Sequence, residues 1–224
     1  MTGIADSIKS VREKIEKACD RAGRDPGEVT LVAVTKTVEA EKIETAIRCG
    51  LKHFGENYVQ EARTKIDHIG NEGINWHMIG YVQTNKVKYI QGRFDFIHSV
   101  DRWELLENLD KYGRPIRALF ELNLSRETTK HGIDEDGLKG LLEKVDSLKH
   151  IKPVGLMTMA PYVDDPEKVR TIFSTLRKTL EKMNREFSQD MKELSMGMSS
   201  DFEVAIEEGA TMVRIGTALF GERI

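Results

Sequence analysis

A lysine follows a short apolar segment directly, which is an unusual position for an ammonium group. Residues 31–34, LVAV, form an apolar, partly β-branched run that is typical of a strand buried on both faces, and Thr35 and Lys36 come next. Desolvating a lysine costs free energy unless a partner or a changed protonation state offsets it. Lys36 is therefore either a solvated strand end or a nucleophilic amine that forms an imine with an aldehyde.

Small residues before a helix in the C-terminal third have the pattern of an anion site. Ser199 and Ser200 precede a predicted helix, and Ser200 with Glu203 has the spacing of an S-x-x-E capping box. Backbone N–H groups at such a helix start bind anions. A plain cap at Ser200 is the simpler interpretation when this segment is taken alone.

The last apolar run, MVRIGT, delivers Arg214 and then Gly216 and Thr217 at its end. A tight turn at Gly216 is again the simpler interpretation of that residue alone. A serine pair and a glycine turn at the ends of two consecutive runs together favour a phosphate site. A lysine, a phosphate site and an arginine would suit pyridoxal 5′-phosphate, but a Schiff-base lysine without that cofactor and a phosphate-ester enzyme share these features.

Two further polar residues follow apolar runs. Asn57 lies in FGENYVQE at a strand-to-helix junction, where helix capping is the simpler interpretation. His77 lies in WHMIG, where a hydrogen-bonded core histidine is commoner than a ligand. The other histidines show no metal-ligand spacing, so the sequence predicts no metal site.

Alternating strands and helices must position these residues. Ile4, Ile8 and Val11 recur at three- and four-residue steps, which predicts an N-terminal helix that ends at Gly23. The predicted strands are 29–35, 52–56, 75–80, 94–100, 115–124, 152–159, 193–199 and 211–221. The predicted helices between them are 39–49, 58–69, 84–91, 101–113, 134–148, 165–186 and 200–210.

About eight apolar runs that alternate with helical patterns are the signature of βα units and a parallel sheet. An open doubly wound sheet and a closed (β/α)8 TIM barrel both satisfy the pattern. The number of runs favours the barrel, whose usual size of ~250 residues is close to this length. No Pro/Gly/Ser-rich linker divides the chain, so residues 1–224 are predicted to form a single domain.

Composition excludes several classes of protein. The formal net charge of −3 gives no basic field for nucleic acid or an anionic membrane. The cysteines Cys19 and Cys49 have no C-x-x-C spacing, which argues against a disulfide framework or a zinc ribbon and favours a reducing cytosol. The charged N-terminus is not a signal peptide, and no apolar run could span a bilayer. We therefore expect a cytoplasmic protein.

Seven motifs, in order, resemble the pyridoxal phosphate homeostasis protein family, also called the YggS or PROSC family, which is related to the barrel domain of alanine racemase. The motifs are VAVTK, FGENYVQE, WHMIGYVQTNK, TKHG, GLMTM, FSTLRKTLE and LSMGMSSDFEVAIEEGATMVRIGTALFG. The resemblance runs from about Ile4 to Arg223. It implies a fold-type III pyridoxal phosphate barrel with an extra N-terminal helix and without a C-terminal β-domain.

The resemblance also implies roles for individual residues. Lys36 in VAVTK would be the imine lysine, and Arg214 in VRIGT would face the pyridine nitrogen. Asn57 and His77 would lie near the ring.

The same resemblance implies a phosphate site at the ends of the last two strands. Ser199 in GMSSD, together with Gly216 and Thr217 in RIGT, would hold the phosphate. We expect main-chain N–H groups and hydroxyls around these residues and Ser200 to make most of the contacts.

Three functions compete. The first is a protein that binds, buffers and releases pyridoxal phosphate, and transfers it to apo-enzymes. The alternative is a pyridoxal phosphate-dependent amino-acid racemase, and the third is a phosphate-ester barrel enzyme with a Schiff-base lysine. Alanine racemase adds a C-terminal β-domain whose tyrosine acts as a second acid/base across a dimer interface. The sequence ends at Ile224, soon after the last predicted strand, so we expect a monomeric carrier without substantial turnover.

Overall fold

The computed structural model describes residues 3–125 and 131–222. Thr129 and Lys130 of the TKHG motif lie outside these ranges.

Eight parallel strands close into a barrel in the order of the sequence. The strands are β1 (Thr30–Val34), β2 (His53–Glu56), β3 (Asn75–Met78), β4 (Phe96–Val100), β5 (Ile116–Glu121), β6 (Ile151–Met157), β7 (Glu193–Ser195) and β8 (Met212–Ile215). β1 pairs with β8 with Thr30 opposite Met212 and Ala33 opposite Ile215, and this pairing closes the sheet. The predicted barrel is confirmed, and the open doubly wound sheet is excluded.

Helices surround the barrel. They are α1 (Ile4–Ala22), α2 (Ala40–Arg48), α3 (Val59–Ile69), α4 (Val87–Ile90), α5 (Trp103–Lys111), α6 (Glu135–Val145), α7 (Arg170–Phe187), α8 (Phe202–Glu207) and α9 (Thr217–Phe220). The segment 84–91, predicted as one helix, forms a 3₁₀ turn over Thr84–Lys86 and the single turn of α4. Gly92, with φ of 77°, redirects the chain soon afterwards towards β4.

The predicted N-terminal helix is confirmed as α1. Ile8, Val11 and Ile15 are buried on its inner face, and Gly23 ends it in the left-handed conformation, as the regular spacing and the glycine indicated. α1 packs against α8 and α9, which lie beside the last two strands. Arg21 near its end pairs with Glu207 at 2.6 Å. The extra helix thus braces the part of the barrel that carries the predicted phosphate site.

Apolar side chains fill two layers. The inner layer lies inside the barrel and consists of Val32, Phe96, Leu119, Met157 and Met212. The larger outer layer lies between the sheet and the helices, and its bulkiest buried members include Phe54, Trp76, Phe120 and Phe173. With the strands packed on both sides, residues at their carboxyl ends are held on a rigid frame.

Candidate functional site at the carboxyl ends of the strands

The predicted site residues converge on one end of the barrel. Lys36 lies two residues beyond the end of β1, Asn57 follows β2 directly, and Gly216 follows β8 directly. β1 is hydrogen-bonded to both β2 and β8, so these three positions are neighbours although they come from opposite ends of the chain. In barrels of this type the loops after the strands form the active site.

The main chain on both sides of Lys36 is held by α3. Lys65 Nζ donates to the carbonyl oxygen of Thr35 at 2.6 Å, and the N–H of Thr37 donates to Glu61 Oε1 at 2.5 Å. Thr37 has φ of 61°, which is the left-handed region that a β-branched residue adopts only under constraint. Two side chains of α3 therefore fix the main chain that carries the half-buried Lys36.

Lys65 also reaches a buried carboxylate. Its Nζ lies 3.0 Å from Oε1 of Glu56, which is fully buried, and Thr35 Oγ1 donates to the same oxygen at 2.7 Å. Burial raises the pKa of Glu56, and the nearby Lys65 and Thr35 oppose that rise. Glu56 Oε2 is buried without a hydrogen-bond partner among the described residues.

Asn57 does not cap a helix. α3 begins at Val59 with Tyr58 at the N-cap position and without a side-chain cap, so the capping interpretation is wrong. A Cβ at Gly80 would lie 2.3 Å from the carbonyl oxygen of Asn57, so the chain after β3 runs directly against the main chain of Asn57. Asn57 Oδ1 is buried and lacks a hydrogen-bond partner within the described ranges. A buried acceptor of this kind at a barrel mouth is a place for a ligand group.

Ser199 is joined to the start of α9. The N–H of Ala218 donates to Ser199 Oγ at 3.3 Å, which brings the loop after β7 against the first turn of α9, whose N-cap is Gly216. Thr217 is exposed at the start of that turn. Ser199, Gly216 and Thr217 are therefore grouped as the sequence predicted.

The capping box at Ser200 is wrong. α8 begins at Phe202 with Asp201 at the N-cap position, and no side chain caps it. The Asp201 carboxylate instead accepts from the N–H of Met198 at 2.6 Å, which ties the loop into a turn and leaves Ser200 exposed. Glu203, the predicted partner of Ser200, accepts from Arg21 at 2.9 Å.

Arg214 is buried inside the barrel beneath these loops. Its Nη1 donates to Ser195 Oγ at 2.6 Å, and its Nη2 donates to the carbonyl oxygen of Thr158 at 2.9 Å. Burial lowers the pKa of Arg214 to about 10, and the carboxylates of Glu121 and Asp201 oppose that shift. The guanidinium is therefore still charged at neutral pH. Burial also raises the pKa of Glu121 to about 7, with Arg214 opposing it.

His77 lies on β3 between two other histidines. It is fully buried, and its two ring nitrogens lie 2.9 Å from His53 Nδ1 and 2.8 Å from His98 Nε2. Both nitrogens are thus engaged by neighbouring histidines. The structure supports the simpler interpretation of His77, a hydrogen-bonded core residue, and its expected place near the ring stays a prediction.

Sequence reasoning missed the residues that support the site. Ser195, Thr158 and Lys65 contact predicted residues or their main chain, but each partner is remote in sequence. One signal was available: His53, His77 and His98 occur in three consecutive predicted strands.

The described part of the chain contains neither a metal-binding cluster nor a membrane-spanning helix. Within residues 3–125 and 131–222, His, Cys, Asp and Glu side chains form no group of three or more that could hold a metal ion. No helix in the same ranges combines the length and the apolar character needed to cross a membrane.

Curated relatives match almost the whole chain. Two are named pyridoxal phosphate homeostasis protein: one from Aquifex aeolicus, 46% identical over 97% of both chains, and one from Escherichia coli K12, 40% identical over all of this chain and 98% of the relative. Residues 7–224 match the family model described as alanine racemase, N-terminal domain.

Solved structures of other proteins have the same fold as this chain. PipY of Synechococcus elongatus PCC7942, in a structure described as having PLP bound, is 34% identical with a TM-score of 0.84 and covers 97% of this chain and 100% of its own. Alanine racemase from Corynebacterium glutamicum is 18% identical with a TM-score of 0.71, covers 98% of this chain and 61% of its own, and shows the fold alone. The chain has the barrel fold, its residues 7–224 match the family model, and two relatives are 40% and 46% identical over nearly their full length. The chain therefore belongs to the pyridoxal phosphate homeostasis protein family.

Proposed function

We propose that this protein binds pyridoxal 5′-phosphate reversibly at the carboxyl ends of its strands and acts in the intracellular homeostasis of that cofactor. The observation that carries the proposal is the grouping of Lys36, Asn57 and Gly216 around β1, with Arg214 beneath them. The names of the relatives and the cofactor bound to PipY point the same way.

The residues present fit the cofactor. Lys36 supplies the amine for covalent attachment to the aldehyde, and α3 fixes the main chain on both sides of it. Asn57 Oδ1, buried without a partner in the described residues, offers a contact at the ring edge. The hydroxyl of Ser199 and the N–H groups of Gly216 and Thr217 at the start of α9 suit a phosphate dianion. The exposed Ser200 and Thr217 complete this rim.

Arg214 faces the pyridine nitrogen in this proposal. Ser195 and Thr158 take two of the five N–H groups of a guanidinium, and others are available to an acceptor. A guanidinium only donates, so it holds the ring nitrogen unprotonated. The bound cofactor supplies an electron sink, which is weaker beside an arginine than beside a carboxylate.

The protein exchanges its cofactor and turns over amino acids slowly or not at all. Racemisation requires an acid/base on each face of the substrate carbanion, and Lys36 serves one face. The relatives that this chain matches over nearly their full length are named for homeostasis. The racemase alternative has the common fold in its favour.

Two assays on one preparation separate the carrier from the racemase. The purified protein is loaded with pyridoxal phosphate, and its visible absorbance is followed while an apo-enzyme that needs the cofactor regains activity. Separately, the loaded protein is incubated with L- or D-alanine. We expect cofactor release to the apo-enzyme and negligible racemisation. Racemisation at ~1 per second or faster, without gain of apo-enzyme activity, would establish the racemase instead.

Gly216→Val tests the phosphate site. A branched side chain at the N-cap of α9 blocks close approach of a phosphate to the main chain, so the affinity for pyridoxal phosphate should fall strongly. Gly140→Val, in α6 away from the strand ends, is the matched control and should keep the affinity. Wild-type affinity in Gly216→Val would place the phosphate elsewhere.

The protein is a cytoplasmic monomer in this proposal. Cys19 and Cys49 are free thiols, as a reducing compartment requires. Sedimentation equilibrium at micromolar concentration and fractionation of cells would test the two statements separately.

A further inference from the structure

A row of hydrogen-bonded side chains crosses the interior of the barrel. His53 Nδ1 lies 2.9 Å from His77 Nε2, and His77 Nδ1 lies 2.8 Å from His98 Nε2. His98 Nδ1 lies 2.8 Å from Ser195 Oγ, to which Arg214 donates. We call His53, His77, His98 and Ser195 the histidine chain. It connects β2, β3, β4 and β7 and ends at Arg214 on β8.

The two ends of the histidine chain have different surroundings. His53 is half-buried and lines a cavity of about 430 Å³ with Thr30 and Lys52, at the start of the strands. His77, His98 and Ser195 are fully buried. The row therefore runs from the opposite face of the barrel to the residue beneath the proposed cofactor site.

Arg214 fixes the direction of every hydrogen bond in the row. A guanidinium only donates, so Ser195 Oγ must accept from it. The serine hydroxyl then has its own hydrogen to place, and its other contact in the described residues is His98 Nδ1. If His98 Nδ1 also carried a hydrogen, the hydroxyl hydrogen would be buried without an acceptor, at a cost of about 1–3 kcal/mol.

The remaining bonds follow in sequence. With Nδ1 of His98 accepting from Ser195, its Nε2–H donates to Nδ1 of His77. The Nε2–H of His77 then donates to Nδ1 of His53. All three histidines are neutral and carry their hydrogen on Nε2. No ring nitrogen in the row keeps a lone pair that could take up a proton without breaking a hydrogen bond.

The surroundings of the histidine chain lower the pKa of all three histidines. Burial is the largest cause that lowers the pKa of His53; Arg117 and Lys52 add to it, and Asp95 opposes it. Burial is the largest cause that lowers the pKa of His77 and His98, and Arg214 adds to it at His98. Protonation of the row at neutral pH is thus disfavoured by burial as well as by hydrogen bonding.

We propose that His98 and His77 are positioning residues, which act through Ser195 as neutral Nε2–H tautomers to hold the Arg214 guanidinium in one orientation. Without His98 the hydroxyl of Ser195 could rotate, and Arg214 would lose a defined acceptor. The effect on the cofactor rests on the function proposed above, whereas the tautomers do not.

The first experiment reads the tautomers in the full chain without added cofactor. In ¹⁵N-histidine-labelled protein, the ring nitrogen shifts should report Nε2–H for His53, His77 and His98, unchanged between pH 8 and pH 6. Ser195→Ala removes the donor to His98 Nδ1, so His98 should change or mix its tautomers. Ser99→Ala, a fully buried serine on the same strand as His98 that donates to the carbonyl oxygen of Gly80, should change none.

An Nδ1–H tautomer or an imidazolium at His98 in the wild type would overturn the proposal. This wild-type result decides the question even if Ser195→Ala does not fold.

The second experiment uses the protein loaded with pyridoxal phosphate. Ser195→Ala should shift the visible absorbance and release the cofactor at least about tenfold faster, the equivalent of ~1.4 kcal/mol. Ser195→Thr keeps the hydroxyl and should restore both properties, and Ser99→Ala should match the wild type. Release at the wild-type rate from Ser195→Ala would overturn the positioning role and leave the proposed function intact. Failure of Lys36 to bind the cofactor would overturn the proposed function and leave the tautomers readable.

Discussion

At the scale of single residues, contacts from neighbouring elements hold the main chain around Lys36 and Asn57. Thr35 and Thr37, on either side of Lys36, are tied to Lys65 and Glu61. Gly80 confines Asn57 in the same way from the next loop. A site built on a fixed main chain presents its reactive atoms with little entropy left to lose.

Replacement of Lys36 tests the covalent attachment directly. Borohydride reduction of the loaded wild-type protein should leave a stable adduct on the peptide that contains Lys36, and Lys36→Ala should abolish it. Lys42→Ala, an exposed lysine on α2, is the control and should keep the adduct. Peptide mass spectrometry makes the measurement. An adduct on a different lysine of the wild type contradicts the prediction.

Glu121 should make the free energy of unfolding depend on pH. Its pKa is raised to about 7 in the fold, above its ordinary value of 4.5, so the folded state binds more protons than the unfolded state between these two pH values. Stability from this group is therefore present at low pH and is lost as the pH rises through 7. Glu121→Gln removes the titration, so its free energy of unfolding relative to the wild type should rise by roughly 2–3 kcal/mol from pH 5 to pH 8.

Urea unfolding at the two pH values measures this difference. Glu143→Gln on α6, an exposed carboxylate, should show the same difference from the wild type at both. A constant difference for Glu121→Gln would mean that this carboxyl group titrates normally.

At the scale of elements, helices position the strand ends as much as the sheet does. α3 supplies both side chains that hold the Lys36 segment, and α1 braces α8 through Arg21. The role of α3 depends on the buried pair Lys65–Glu56, since a buried charge without its partner is strongly destabilising.

Lys65→Met should therefore destabilise the protein by about 3–5 kcal/mol and weaken cofactor binding. The double variant Lys65→Met/Glu56→Gln should regain part of the stability, because the uncompensated carboxylate is gone. Lys139→Met is the matched control: Lys139 pairs with Glu135 on the surface, and its loss should cost less than about 1 kcal/mol. Denaturant unfolding that gives Lys65→Met and Lys139→Met equal stability would contradict the role given to α3.

At the scale of the whole molecule, the closed barrel requires close contact between β6 and β7. Gly155 of β6 lies opposite Glu193 of β7, and a Cβ there would come within 1.9 Å of the carbonyl oxygen of Glu193. Any side chain at this position must push β7 away. β7 carries Ser195 and leads to Ser199, so the displacement would reach the site.

Gly155→Ala should destabilise the barrel by at least about 1–3 kcal/mol and weaken cofactor binding. Gly140→Ala in α6 has no heavy atom within 4 Å of the new Cβ, so it should stabilise the protein by up to about 1 kcal/mol. Thermal unfolding of the two variants, measured side by side, tests the prediction. Equal effects would show that the β6–β7 contact adapts freely.

Much of this protein is determined by the sequence alone. The alternation of apolar runs and helical periods specifies eight βα units, and the spacing of Ile8, Val11 and Gly23 specifies α1 with its end. The carboxyl ends of parallel strands meet at one face, so the positions of Lys36 and Gly216 could be assigned to a common site from local patterns. These features depend on residues that are close in sequence.

The tertiary structure decided the rest, because the remaining contacts join residues that are remote in sequence. A motif suggested that Ser200 caps a helix, but Asp201 turned the loop towards Met198 instead. Three histidines in consecutive strands were visible, yet only the closed barrel aligns their rings with Ser195 and Arg214. Barrel closure sets which inward side chains meet, and a single sequence does not state that register.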